Sequence, residues 1–255
     1  MMYVRGVCGA ERLRVTAVHL CLYIKMKGCR KLAKSYRYKL VIFDMDGTIL
    51  DTLADLYAAI NHSLAHFGLP QRSLPEVRSF LGNGSRRLVE LSVPQDTNKA
   101  RAALIEELLN YYSAYYKAHC AEKTQPYDGI TSLLAELRGS GVLTAVVSNK
   151  PDFGVQKLCA EYFAGLFDFY CGEREGIRRK PAPDSVLEAL YRLNVRPQDA
   201  VYIGDSEVDV ATAVNAGLDC IAVSWGFRDM PVLQAAGART IVSSVENLKA
   251  KLLAE

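Results

Sequence analysis

The apolar positions of this chain fall into two regimes. Between about residues 53 and 125 they recur at helical spacing. Leu53, Leu56, Ile60, Leu64 and Phe67 predict a helix over 52–67, with Thr52 as its cap and Gly68 and Pro70 at its end. A short helix starts near Pro75, which suits a first helical position. Leu81-Gly82-Asn83-Gly84 breaks the pattern, Ser85 caps a helix through Leu91, and Pro94 closes it. Leu104, Leu108, Tyr111, Tyr112 and Tyr115 predict a long helix over 97–119, and Gln125 to Gly129 reads as a loop. No strand signal occurs in this stretch.

From Gly129 onward, helical spacing alternates with short apolar runs. The runs at Leu143–Val147, Phe167–Cys171, Ala200–Ile203, Cys220–Val223 and Thr240–Val242 read as strands. Helices are expected at 130–139, 153–163, 184–193, 207–216, 231–236 and 245–253. Ahead of both regimes stands one more apolar run, Leu40 to Phe43, which reads as a strand buried on both faces. Strands alternating with helices imply a doubly wound α/β fold, a parallel sheet covered on both sides. The helical stretch after the first strand reads as an all-helical insertion. Expected domains are therefore a core of 39–52 and 127–255, an inserted helical cap of 53–126, and a leader of 1–38.

Charge changes this picture only at the leader. The net charge is +3, yet residues 1–39 hold ten Lys/Arg against Glu11 alone, which leaves the body at −6. The body carries no signal for nucleic acid. The leader reads as a poorly ordered tail or a non-native start, with Met26 as an internal alternative. Targeting, secretion and a basic nucleic-acid arm are its other readings. No apolar run is long enough for a membrane span. Seven widely spaced cysteines without a C-x-x-C argue against a disulfide framework and for a reducing, cytoplasmic compartment. Cys171 and Cys220, in apolar runs, are expected to be buried thiols.

In parallel α/β sheets, ligands bind beyond the carboxyl ends of the strands. The polar residues at those ends are candidates by position. Asp44 and Asp46 follow the first strand, and two like charges on one side of it invite a divalent cation with oxygen ligands, suited to Mg²⁺. Alone, this D-x-D-G fits an acidic surface turn equally well. Ser148 and Asn149 follow the second strand, and Gly204-Asp205 with Asp209 follow a later one. Lys180 precedes a helix. Together these residues supply what phosphoryl transfer needs: a carboxylate nucleophile, a second carboxylate, a hydroxyl, a cation and further acids.

These residues resemble the haloacid dehalogenase superfamily. The match is Asp44-Met45-Asp46-Gly47-Thr48 with Asp51, then Ser148-Asn149, then Lys180, then Gly204-Asp205 with Asp209, in order and at strand ends. The resemblance implies that Asp44 is a nucleophile forming an aspartyl-phosphate and that Asp46 is the general acid/base. It implies Mg²⁺ held by Asp44, the Asp46 carbonyl and Asp205, with Asp209 in support. Thr48, Ser148, Asn149 and Lys180 would contact or orient the phosphoryl group. An acid at Asp46 fits an alkoxide leaving group and sets the chain apart from the dehalogenases. About 96 residues separate Asp51 from Ser148 but only 24 separate Lys180 from Asp205, so the cap follows the first motif.

Within the superfamily the chain is similar to phosphoglycolate phosphatases, through Val77-Arg78-Ser79-Phe80-Leu81-Gly82-Asn83-Gly84, Gly172-Glu173 and the surroundings of Lys180. Gly82, Asn83 and Gly84 are candidate substrate contacts from the cap. The implied partner is a small phosphorylated metabolite, the implied state a monomer or homodimer. A phosphosugar mutase is the second reading, disfavoured because Leu53-Ala54-Asp55-Leu56 supplies no base. A catalytically silent binding protein is the third, and it would predict loss of Asp44 or Asp46. His62 and His66 read as a helix-surface pair, and Tyr111, Tyr112, Tyr115 and Tyr116 as helix packing.

Overall fold

The computed structural model describes residues 35–95 and 101–254. Strand β1 (Leu40–Phe43) is fully buried, and its alternation divides the core. Leu40 and Ile42 face one hydrophobic layer, while Val41 and Phe43 face another. This explains an uninterrupted apolar run, since both faces of a central parallel strand are covered. Around β1 lie β4 (Leu143–Pro151), β5 (Phe169–Glu173), β6 (Ala200–Gly204), β7 (Asp219–Val223) and β8 (Ile241–Val242). Their order is β5-β4-β1-β6-β7-β8, parallel throughout. The chain winds outward through β4 and β5, then returns to build the other half from β6. The switch point lies between β1 and β6, where a crevice for ligands is expected.

A two-residue strand β2 (Leu50–Asp51) precedes four helices: α1 (Leu53–His66), α2 (Leu74–Phe80), α3 (Gly84–Ser92) and α4 (Arg101–His119). The chain returns through β3 (Gln125–Pro126), antiparallel to β2, with Leu50 opposite Pro126 and Asp51 opposite Gln125. Strand β3 falls within the loop expected at 125–129. Two residues per strand are too short to leave a periodic signal. The core helices are α5 (Ile130–Gly139), α6 (Asp152–Tyr162), α7 (Asp184–Arg192), α8 (Glu207–Ala216), α9 (Met230–Ala235) and α10 (Val245–Leu252).

Several local expectations shift. Thr52 precedes α1, but its side chain makes no capping bond and its hydroxyl is buried without a partner. The helix gains instead from Asp55, whose carboxylate accepts from the Lys123 and Thr124 amides and the Thr124 hydroxyl. That clasp ties the start of α1 to the segment leading back into the core. Strand β4 extends four residues beyond Val147 and pairs with β5 again at Pro151 and Glu173 after an irregularity, and Lys150 on this extension is buried. The strand expected at Phe167–Cys171 is Phe169–Glu173. Phe167 instead packs edge-on against Phe43 and Phe163.

Cys171 is buried as expected, whereas Cys220 is partly exposed. Residues 35–38, placed in the leader by pattern, pack on the body. Tyr36 bridges Leu253, and the buried Tyr38 donates to Asp219 at 2.8 Å. The remainder of the leader, and residues 97–100 of the long helix, lie outside the described residues.

Candidate active site

The end of β1 is shaped by one buried residue. Met45 is fully buried, and its carbonyl collects the amides of Thr48, Ile49 and Leu50 at 3.1–3.2 Å. The chain thus doubles back directly after Asp44. Gly47 sits at φ 82°, and a Cβ there would collide with the Asp205 carboxylate, so only glycine closes this turn against β6. The same holds where β6 ends, since a Cβ on Gly204 would strike the Asp209 side chain.

At the switch point, Asp44, Asp205 and Asp209 bring one oxygen each within 4.8 Å of one another, all buried. Lys180 stands among them, its ammonium 2.9 Å from Asp44 Oδ1 and 2.8 Å from Asp209 Oδ1. It also donates to the Tyr202 hydroxyl at 3.0 Å, which donates on to the Val147 carbonyl. Burial alone would lower the pKa of Lys180. Asp209 and Asp44 outweigh that and hold it well above the ordinary lysine range.

Burial pushes Asp44 up from 3.8 to about 6, against the pull of Lys180 and with Asp209 adding. Asp205 is pushed well above the usual range by burial, Asp209 and Asp44, despite accepting from the Phe227 amide and Thr48 hydroxyl. Asp209 also closes a capping box on α8, accepting from the Ser206 amide and hydroxyl at 3.0 and 2.6 Å. Three buried carboxylates against one ammonium leave an excess of negative charge in a low-dielectric site. The donors are hard oxygens, so the set fits Mg²⁺.

Asp46 faces the other way. Its Oδ1 accepts from Lys150 Nζ at 2.7 Å, and that ammonium donates also to the Tyr116 hydroxyl at 2.5 Å. The Lys150 side chain is 1% exposed. Sequence reasoning passed over this residue. The positional rule that picked out Ser148 and Asn149 at the same strand end applied to it equally.

A cavity opens between the strand ends and the inserted helices. Asp44, Asp46, Ser148, Asn149 and Asp205 line it from the core, and Gly82 and Gly84 from the helices. Asn83 is the N-cap residue of α3 between those glycines. Tyr112 and Tyr116 pack in the core, as expected, and also line the cavity. The half-buried rings of Tyr111 and Tyr115 stack on His66 and His62 at centroid distances of 4.0 and 3.9 Å.

The Asn149 side chain is spent on structure. It donates to the carbonyls of Gly82 and Lys180 and accepts from the Lys180 amide. Arg228 donates to the carbonyls of Arg78 and Leu81, and Arg78 returns a bond to Gly226. The 78–84 segment is therefore where the helical insertion is latched onto the core. Arg86 and Arg87 pair with Glu106 and Glu90 near the surface.

Fold and site together define a phosphoryl-transfer hydrolase with paired aspartates just beyond its first strand. The model of the haloacid dehalogenase-like hydrolases matches residues 41–223, and the chain belongs to that family, on its phosphatase side. A phosphoglycolate phosphatase of Pseudomonas putida is 31% identical over 227 residues, 88% of this chain and 83% of that one. A solved structure from Lactobacillus delbrueckii subsp. bulgaricus, assigned as a phosphoglycolate phosphatase, superposes with a TM-score of 0.80. It is 41% identical and covers 86% of this chain and 100% of that one. CbbY from Rhodobacter sphaeroides, solved in complex with phosphate, superposes with a TM-score of 0.69 at 26% identity, over 84% and 99% of the chains.

Proposed function

We propose that this chain is a Mg²⁺-dependent phosphatase of small phosphorylated metabolites that works through an aspartyl-phosphate on Asp44. One observation carries the reading. Asp44 is held by Lys180 at the acidic switch point, while Asp46, on the same turn, faces the cavity with a different cation. Two carboxylates of the same type are thereby given separate tasks.

In this reading Asp44 attacks phosphorus. The bond to the ester oxygen breaks, and Asp46 gives that oxygen a proton. Asp46 then takes a proton from water, which attacks the phosphoaspartate, freeing phosphate and restoring Asp44. Ser148 would hold a phosphoryl oxygen, Lys180 would orient Asp44 and screen the phosphoryl charge, and Thr48 would hold Asp205 in place. Asn149 would act by fixing the Lys180 backbone. Asp44, Asp205 and the Asp46 carbonyl would hold Mg²⁺, with Asp209 in support. The ion would supply charge neutralisation of the phosphoryl group.

Residues 53–126 would act as a cap over a core of 39–52 and 127–255, hinged near β2 and β3. Phosphoglycolate is the first ester to try, given the named relatives. Hydrolysis is favoured over mutase chemistry because the first turn of α1 presents Leu56 to the cavity, while Asp55 is tied to Lys123 and Thr124. Four free thiols among the described cysteines support a reducing, cytoplasmic setting.

The test is phosphate release with Mg²⁺ by native protein and by Asp44→Asn, followed by intact-mass detection of the phosphoprotein. The expected result is a loss of about 10³-fold or more in the variant, as for removal of a covalent nucleophile. Equal release by both proteins would overturn the aspartyl-phosphate reading.

A further inference from the structure

A second cavity, of about 330 Å³, lies beside the turn that follows β1, among residues that no step of the phosphoryl transfer uses. Its walls are the rings of Tyr127 and Trp225 and the segments entering α5 and α10. That volume holds one small molecule. Gly129, at φ 85°, lets the two helix starts approach, since a Cβ there would press on Val245 at 3.3 Å.

The two aromatic residues are anchored on that turn. Trp225 Nε1 donates to the Thr48 carbonyl at 3.1 Å, and the Tyr127 amide donates to the Ile49 carbonyl at 3.2 Å. Their ring centroids lie 6.4 Å apart with the planes inclined at 59°, so the pair makes a corner and not a stack. The faces of such rings attract cations.

The charge around this corner has one sign. Asp128 and Glu246 are the charged residues of the cavity wall. Both are exposed, and among the described residues neither carboxylate has an ion-pair or hydrogen-bond partner. Burial raises the Tyr127 phenol above its ordinary range, and Asp51, Asp205 and Asp46 raise it further, with Arg78 opposing. The positive end of α10 is countered locally: the Ser244 hydroxyl accepts from the Asn247 amide, and Glu246 stands in the first turn.

We propose that Tyr127, Trp225, Asp128 and Glu246 form a binding site for a small organic cation, a protonated or quaternary amine. The rings take the cation on their faces, and the two carboxylates balance its charge from the rim. Both acids repel an anion, and a neutral apolar molecule leaves them without a partner. Binding here is independent of the phosphatase reading, so it is measured on metal-free protein without turnover.

Trp225 is the single tryptophan of the chain, so its emission reports on this cavity directly. The probe is choline, set against its uncharged carbon analogue, in which a tert-butyl group replaces the trimethylammonium, with ionic strength held constant by NaCl. Choline should change Trp225 emission saturably and bind about 10-fold tighter than the analogue, the scale of a cation over two aromatic faces. Tyr127→Leu should weaken choline binding by about 10-fold. Asp128→Asn combined with Glu246→Gln changes only exposed side chains and should weaken it by about 3-fold or more, the scale of two exposed charges. Asp44→Asn should bind choline as the native protein does, which separates this cavity from the acidic centre.

Four results would overturn the site. They are equal affinity for choline and its analogue, full binding in the double variant, loss of binding in Asp44→Asn, and no saturation below about 0.1 M, where salt itself screens exposed charges beyond about 10 Å.

Discussion

Lys150 and Asp46 meet at 2.7 Å across 104 residues of sequence. The lysine is buried, so the pair is screened little by solvent, and it fixes the Asp46 carboxylate at the cavity wall. Lys150→Met removes that constraint and leaves the Tyr116 hydroxyl unpaired. We expect kcat to fall by about 10- to 100-fold, the scale of a lost buried charged hydrogen bond. Arginine should not rescue it, because a planar fork cannot replace a compact ammonium in this space. Initial rates for the two variants check both statements.

Lys180 counters two buried carboxylates at once. Lys180→Met leaves Asp44 and Asp209 without a cation. Removing one partner of a buried ion pair destabilises by about 3–5 kcal/mol, and urea unfolding of the metal-free variant should show a loss of that order. A change below about 1 kcal/mol would mean that the carboxylates neutralise themselves by protonation instead.

Mg²⁺ should stabilise the protein in a pH-dependent way. Asp44 sits at about 6, above the 3.8 of an ordinary aspartate. A raised carboxylate favours the folded state fully below the unfolded value, and that contribution is lost as pH rises through about 6. The metal-free protein should therefore weaken, from this group, between about pH 4 and 6. Mg²⁺ binds the ionised form, so the rise in Tm on adding it should grow from pH 5 to pH 7.5. Each kcal/mol of binding corresponds to about 2–4 °C in a chain of this size, which scanning calorimetry resolves. A Tm gain that shrinks with rising pH would contradict the assignment.

The Asp55 clasp makes a prediction far from the chemistry. Its carboxylate accepts from Lys123 and Thr124 at 2.8–3.0 Å and is 4% exposed. Asp55→Ala strands those donors, with an expected loss of about 2–3 kcal/mol. Hydrogen exchange at residues 123–124 should accelerate in the variant, while the amides of β1 should be affected only through global stability.

Asn149→Ala tests the latch. It cuts the bonds to the Gly82 carbonyl and to the Lys180 backbone. Exchange should quicken at 78–84, and KM should rise more than kcat falls, since Arg228 still holds the Arg78 and Leu81 carbonyls.

The chain's own pattern determined the α/β class, the helical insertion and the strand-end positions of Asp44, Asp46, Ser148 and Asp205. These follow from local rules. Apolar period distinguishes helix from strand, and an acid cannot be buried within a run such as Leu40–Phe43, so it marks the run's end. Strand order and the pairing of β2 with β3 were not legible, because neither leaves a periodic trace.

The partnerships were also decided only in three dimensions. Whether Lys180 meets Asp44, whether Asn149 faces phosphate or Gly82, and whether Tyr112 merely packs depend on contacts between segments far apart in sequence. Lys150 shows the reason most plainly. In sequence it is one more charged residue after a strand. In the fold it is buried, because Asp46 and Tyr116 arrive from opposite sides to satisfy its charge, and neither can be read from its neighbours along the chain.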